Sequence, residues 1–407
     1  MNGSPSSLVA ARLCLACLLL AAVPAAAQTP DPDTRASEIA QAQAEKAQRV
    51  TPYERNFFER RLLTIEQAGG FGLVNGWFVT FGDIKQGSGF AGGPAYGVLF
   101  DNGAGIVTKG IYSIRNFKLG QVQFIAPRIA NGRVHLNGRI RWQDAPTLAV
   151  YPLGPDSPRE RADYSETKTE ASGQLLVAPV FFIRLGAGVA FERFETSGAD
   201  TSRLSVEEAF TPADMPGIGA DPDYLHTFVT AGIDSRTGPS YSRTGTLLQA
   251  TLHDYSQRND GPYSFQKIDA VARQLIPILH GNWVIDLSVR TSTTTVDDGN
   301  QVPFFLLPDL GGSGELRGYS AYRFRDKNSI IFTGEYRWYV QEFVDMAVFY
   351  DAGKVTSRTK DLDFENLKSN VGFGIRFHGS KTTAVRLELA RGDEGLRFIF
   401  GFSGPIR

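Results

Sequence analysis

The sequence predicts an all-β chain: a transmembrane, 16-stranded antiparallel β-barrel with an inward-folded loop and a short N-terminal helical leader. Three observations carry that expectation. Segments of alternating apolar and polar residues recur from Phe71 to the C-terminus, many of them near the roughly 9 to 11 residues that cross a bilayer at a tilt, and their longest connections all leave one side. A secreted soluble sandwich shares the alternation, because its polar face meets water. It does not share the lengths, nor the lack of any credible helix after residue 68 to cover a sheet. Backbone groups in lipid must all be paired, which calls for a sheet closed on itself.

Residues 1–27 read as a secretory signal, in which Arg12 precedes the apolar run Leu13 to Val23 and Ala25-Ala26-Ala27 supplies small residues for cleavage. Both cysteines, Cys14 and Cys17, lie in it, so the exported chain is expected to hold no thiol, disulfide or cysteine-ligated metal. Removing one Arg and no acid takes the formal charge from −1 to −2, with no basic footprint for nucleic acid. Residues 28–68 are read as a periplasmic helical leader. Thr34 to Arg49 is mostly Ala, Gln, Glu and Lys, with too little apolar surface to fold alone, whereas Pro52 to Gln67 puts Phe57, Phe58, Leu62 and Ile65 roughly along one side. Partial disorder, docking under or inside the barrel, and partner binding stay open for it.

Residues 69–407 form the barrel domain, Gly-rich (43 in the whole chain) and aromatic-rich, which suits short strands with tight turns. Strand centres fall near residues 77, 95, 111, 123, 138, 168, 187, 229, 249, 270, 287, 335, 349, 374, 387 and 399. In Arg133–Trp142 the apolar face is Val134, Leu136, Ile140 and Trp142, and the polar face includes His135, Asn137, Arg139 and Arg141. Ile183–Glu192, Trp283–Arg290 and Val385–Leu389 repeat the pattern, the last with Arg386 and Glu388 on its polar face. The longest connections, 143–160, 197–221, 299–327 and 354–367, follow the fifth, seventh, eleventh and thirteenth strands, so the long loops face outward and the short turns face the periplasm.

The period also assigns sides. In Ile330–Val340 the lipid-facing set is Ile330, Phe332, Tyr336 and Trp338, which turns Thr333, Glu335 and Arg337 to the lumen. In Val344–Gly353 the outward set is Val344, Met346, Val348 and Tyr350, so Asp345, Phe349 and Asp351 point inward. Glu335 and Asp351 therefore form an acidic pair on neighbouring strands, which would repel without a cation. Arg317, in a connection long enough to fold back inside, is the candidate cation.

At these residues the chain resembles the bacterial surface antigen superfamily, the BamA/TamA-type outer-membrane assembly barrels. The family's Val/Ile-Arg-Gly-Phe/Tyr loop motif is matched by Leu316-Arg317-Gly318-Tyr319, its Phe-x-Asp-x-Gly strand motif by Phe349-Tyr350-Asp351-Ala352-Gly353, and its strand glutamate by Glu335. An eighth-strand pattern, Asp-x-Arg then Thr-Arg-Gly, is similar to Asp234-Ser235-Arg236 and Ser242-Arg243-Thr244-Gly245. The likeness spans about residues 70–407. Two departures stand out: residues 28–68 are too short for a POTRA domain, and the chain ends Gly404-Pro405-Ile406-Arg407, leaving Phe402 as the terminal aromatic signal.

The resemblance implies a non-enzymatic protein that inserts, assembles or translocates proteins, or lipids, at the outer membrane. The implied mechanism is a weak seam between the first strand, Leu73–Phe81, and the last, Leu396–Phe402, where Gly72, Gly76, Gly82, Gly395 and Gly401 lower strand stability or merely suit the curvature. Its partners would be outer-membrane lipid and client or periplasmic accessory proteins, and no nucleic acid. A passive pore is the alternative. An outer-membrane lipase would need a nucleophile such as Ser288 or Ser329 with a histidine in reach, and no motif marks one. No cofactor is expected; Gly372-Phe373-Gly374 lies in a strand pattern with no following helix, and His135, His226, His253, His280 and His378 fall on separate elements, so no metal site is expected.

Overall fold

A computed structural model describes residues 75–402 apart from 239–240 and 380–382, together with scattered helical positions between Glu38 and Glu45. The signal and the predicted amphipathic segment Pro52–Gln67 lie outside the described residues. The sixteen barrel strands run in chain order as β1 (Gly76–Gly82), β2 (Ala91–Leu99), β3 (Gly105–Ser113), β4 (Lys118–Ile129), β5 (Val134–Val150), β6 (Ala162–Val177), β7 (Ile183–Gly198), β8 (Asp223–Asp234), β9 (Gly245–Gln257), β10 (Phe265–Ile278), β11 (Trp283–Thr295), β14 (Asn328–Gln341), β15 (Val344–Thr356), β16 (Lys368–His378), β17 (Thr383–Gly392) and β18 (Gly395–Phe402). β12 (Asp309–Leu310) and β13 (Phe324–Arg325) make a separate two-stranded ribbon inside the connection 296–327. Every expected strand centre falls within one of the sixteen.

Each barrel strand pairs antiparallel with its neighbour from β1 to β18. Among the described residues no register pair joins β18 back to β1, so the sheet is a nearly closed barrel. Outward positions are apolar, as at Ile140, Leu252, Val229 and Tyr350, all well exposed. Inward positions are strongly polar. Gln123, Glu170, Glu192, Asp286, Glu335 and Glu388 are buried there, as period two requires when one face meets lipid.

Two connections are shorter than the sequence reading has them. The one expected at 143–160 spans 151–161, because β5 continues for 17 residues and β6 and β7 for 16 each. Their long-loop ends pack on residues remote in sequence: Leu148, Tyr164, Phe194 and Tyr224 join Met215 from the 199–222 connection and Phe304 from the 296–327 connection in one buried cluster. Tyr164 meets Phe304 edge-on, with ring centroids 4.9 Å apart. Strand pairing is extended by this cluster, whose members no local pattern brings together. The last long connection likewise shortens, from 354–367 to 357–367. A one-turn helix, Val206–Ala209, sits in the 199–222 connection, closed by a capping box between Ser205 and Glu208.

Candidate functional site

The 296–327 connection folds onto the lumenal wall of β14 to β17. Leu316 and Tyr319 flank the turn and are almost fully buried, Leu316 in a cluster with Leu310, Phe324, Ile331 and Val355. Tyr319 donates its hydroxyl to Asp393 Oδ2 at 3.0 Å, and Gly318 N donates to Asn370 Oδ1 at 2.9 Å. A Cβ on Gly318 would lie 2.5 Å from the Asn370 side chain and 2.8 Å from Gly392 N, which accounts for glycine at the closest approach of loop to wall. Gly353 answers the same need on β15, where a Cβ would sit 2.6 Å from Ile330 O.

With the loop so held, Arg317 enters a network of charges. Its Nε and Nη2 each reach an oxygen of Asp351 at 2.8 Å, the planar two-point geometry that carboxylates favour. Its Nη1 lies 3.1 Å from Glu388 Oε1 and 3.4 Å from Glu335 Oε2, and the guanidinium stacks 3.3 Å above the centre of the Phe349 ring. Burial opposes the charge of Arg317, but Asp351, then Glu388 and Glu335, outweigh it and hold its pKa above the ordinary arginine value.

The expectation that Arg317 alone balances Glu335 and Asp351 is too simple. Glu335 opposes Phe349, and Asp351 opposes Thr333, so the two acids are diagonal neighbours. Glu335 is held chiefly by Arg376, whose two nitrogens reach its oxygens at 2.5 Å, while Asn370 supports Asp351 at 2.9 Å. The network continues through Arg337, 3.5 Å from both Glu335 and Asp286, to Arg273, which clamps Asp286. Arg386, beside Glu388, donates to Ser313 O of the loop at 2.6 Å. Five guanidiniums, of Arg317, Arg376, Arg337, Arg273 and Arg386, thus face four carboxylates in one contiguous patch.

The eighth-strand motif lies at the opposite end of the barrel. Asp234 ends β8 and Gly245 opens β9; between them Arg236 clamps Asp234 locally, at 2.9 and 3.1 Å. The 235–244 connection, long for the short-turn side, reaches the same wall: Tyr241 stacks on His378 at 3.8 Å and donates to Asp345 Oδ2 at 2.5 Å. Arg243 approaches Asp345 at 3.3 Å, and Arg337 donates to Ser242 O at 3.0 Å. Arg337 is therefore shared by both loops' anchors.

Glu388, Arg376 and Asn370 are site residues that the sequence motifs do not single out. Their inward facing is legible, since each is a polar member of an alternating strand. Two of the histidines, His226 and His253, fall on separate but adjacent strands and lie 2.9 Å apart, flanked by Glu192 at 3.4 Å and Asp269 at 3.3 Å. The lipase reading gains no geometry. Ser288 is in register with Arg273 and Thr333, and Ser329 with Ser292 and Val355.

The model of the Omp85 superfamily domain matches residues 108–404. In solved structures, the fold is similar to that of BamA from Haemophilus ducreyi lacking POTRA domains 1–3, with TM-score 0.59 and 14% identity over 80% of this chain and 70% of that one. It is also similar to CdiB from Escherichia coli, with TM-score 0.53 and 12% identity over 81% of this chain and 60% of that one. No curated protein sequence shows significant similarity to the chain.

Proposed function

Because the chain belongs to the Omp85 superfamily, whose barrels reside in the outer membrane, we propose that it inserts, assembles or translocates client proteins there without catalysing a covalent reaction. One observation carries this reading: Arg317 pins the 296–327 connection to the β14–β17 wall, while β18 and β1 share no register pair among the described residues. A loop locked in the lumen gives the unpaired edges a fixed frame, and unpaired strand edges are templates for another strand. In this reading Leu316 and Tyr319 seat the loop, Arg317 locks it to Asp351 and Glu335, Phe349 and Gly353 shape the receiving strand, and Asp234, Arg236, Arg243 and Gly245 hold the opposite mouth. Accessory proteins and the 28–68 leader would act from the periplasmic side.

Against a passive pore stands the buried cluster of Tyr164, Phe194, Tyr224 and Phe304, which occupies part of the long-connection end with large aromatic side chains. The test is a photo-crosslinking residue placed at Phe398 on β18 in living cells. The client reading expects trapped β-strand proteins whose yield falls when Arg317→Ala is added. Steady ionic conductance in planar bilayers with no trapped client would instead make the protein a pore.

A further inference from the structure

We propose that the seam, at the end carrying the long connections, binds one anionic phosphate-bearing lipid, its headgroup inside the barrel and its acyl chains leaving between β18 and β1. A cavity of about 1020 Å³ lies there, bounded by the β1–β2 connection, the β3–β4 turn, the floor of the 296–327 connection and β18. Both faces of β18 contribute to its wall: Arg397 and Ile399 from the lumenal face, Phe398 and Phe400 from the outward face. A strand paired on both edges would separate those faces. The cavity therefore passes the edge of β18 that has no register partner among the described residues, and opens toward lipid.

Its chemistry is two-sided. Lys85, Arg115, Arg161, Arg203 and Arg397 line it against a single carboxylate, Asp83, among the described residues. Three of these cations already have acids behind them: Lys85 pairs with Glu166, Arg161 with Asp163 at 2.6 Å, and Arg203 with Asp163 at 3.9 Å. Arg115 and Arg397 have no carboxylate within 4.0 Å among the described residues. Arg115 donates to Gly87 O at 2.9 Å, and Arg397 to Ser320 Oγ at 2.9 Å. The buried Nε of Arg397 has no partner among the described residues. That nitrogen is enclosed by protein, but neither Arg115 nor Arg397 is committed to a carboxylate among the described residues, and a phosphate oxygen is an acceptor that a guanidinium fork recognises well.

A free anion would engage the cations alone, whereas the outward Phe398 and Phe400 on the same wall already face the acyl chains of the bilayer. Beside the cations the wall is apolar: Ile114 is 75% exposed and Phe398 66%, and Phe90, stacked on Phe81 with 5.8 Å between centroids, lies next to them. A phosphate joined to acyl chains satisfies both halves at once. The inference does not rest on clients entering at the seam, and it holds equally for a pore.

The full chain, purified in dodecyl maltoside, is titrated with dioleoylphosphatidylglycerol, dioleoylphosphatidylcholine or inorganic phosphate and read by native mass spectrometry. One phosphatidylglycerol should be retained per barrel, at least about tenfold tighter than phosphatidylcholine, with inorganic phosphate failing to displace it at equal concentration. Arg115→Gln, in an exposed turn, and Arg397→Gln should each weaken that preference, and together remove it, with heat-modifiable migration unchanged. Arg193→Gln, an exposed cation outside the cavity, should leave it intact. A diazirine-tailed phosphatidylglycerol should label the peptide carrying Phe398 and Phe400. Equal affinity for the two lipids, displacement by phosphate alone, an unchanged preference in the double variant, or labelling confined to β7–β11 would each overturn the proposal.

Discussion

The wall of β14 to β17 and the seam between β18 and β1 are built from the same pleated strands and finish opposite ways. β14 and β15 pair from Asn328–Thr356 to Gln341–Val344, and their lumenal face is crossed by Arg317, Arg337 and Arg376. β18 pairs with β17 on one edge and, among the described residues, with no strand on the other, and Gly82, Gly395 and Gly401 lie along the gap. Alternation alone therefore does not decide how firmly a barrel strand is held. The decision lies in what faces inward. A row of complementary charges ties six strands, β10, β11 and β14 to β17, and two loops together at the wall, whereas at the seam the inward charges are mostly of one sign and face a cavity.

Breaking the wall should have the largest effect. Arg317→Ala leaves Asp351 with Asn370 as its side-chain partner among the described residues and removes one cation from Glu388 and Glu335. An uncompensated buried carboxylate costs about 3–5 kcal/mol, so the barrel should unfold at a lower urea concentration and proteinase K should cut faster between Pro308 and Asp326. Arg317→Lys should recover only part, because an ammonium cannot reproduce the two-point contact. A cycle with Asp351→Asn should give a coupling of about 0.5–3 kcal/mol. Strict additivity would mean that the lock is not what holds the loop.

Comparing the two regions without mutation gives the second test. Amides of β1 and β18 should exchange with deuterium at least about a hundredfold faster than those of β14 and β15, since edge groups open without breaking a ladder. Protection equal to the wall would show a closed seam and would erase the contrast.

That contrast is partly legible in the sequence. Period two by itself puts Glu335, Asp345 and Asp351 inside, and the position of Arg317 in a long connection puts a cation near them. What the sequence does not carry is reach across strands. Arg376 serves Glu335 two strands away, across β15, and a linear period does not encode that diagonal. The same limit hides the cluster of Leu148, Phe194, Met215 and Phe304 that lengthens β5 to β7. Tyr241 escapes a sequence reading for another reason. Its connection looks like one of the short turns until its ring meets His378.

The smallest expected effect sharpens the comparison by showing that the loop's seat is not made only of permanent charges. Glu315, two residues before Arg317, is pushed up to about 7 by burial, against the pull of Arg290 at 3.3 Å and Lys267, with Asp309 and Asp269 adding repulsion. A carboxyl raised in the folded state stabilises that state fully below its unfolded pKa and loses the contribution as pH rises through the folded value. The loop should therefore be seated more firmly at pH 5 than at pH 8. Proteinase K cutting between Pro308 and Asp326, normalised to an unfolded control peptide at each pH, should rise about two- to fivefold across that window. Glu315→Gln, which keeps the shape and cannot ionise, should flatten the rise and leave the Arg317 coupling intact. An unchanged rise in Glu315→Gln would move the titration to Asp309, whose pKa is also raised by burial, and would separate the pH response of the loop from the residue beside its lock.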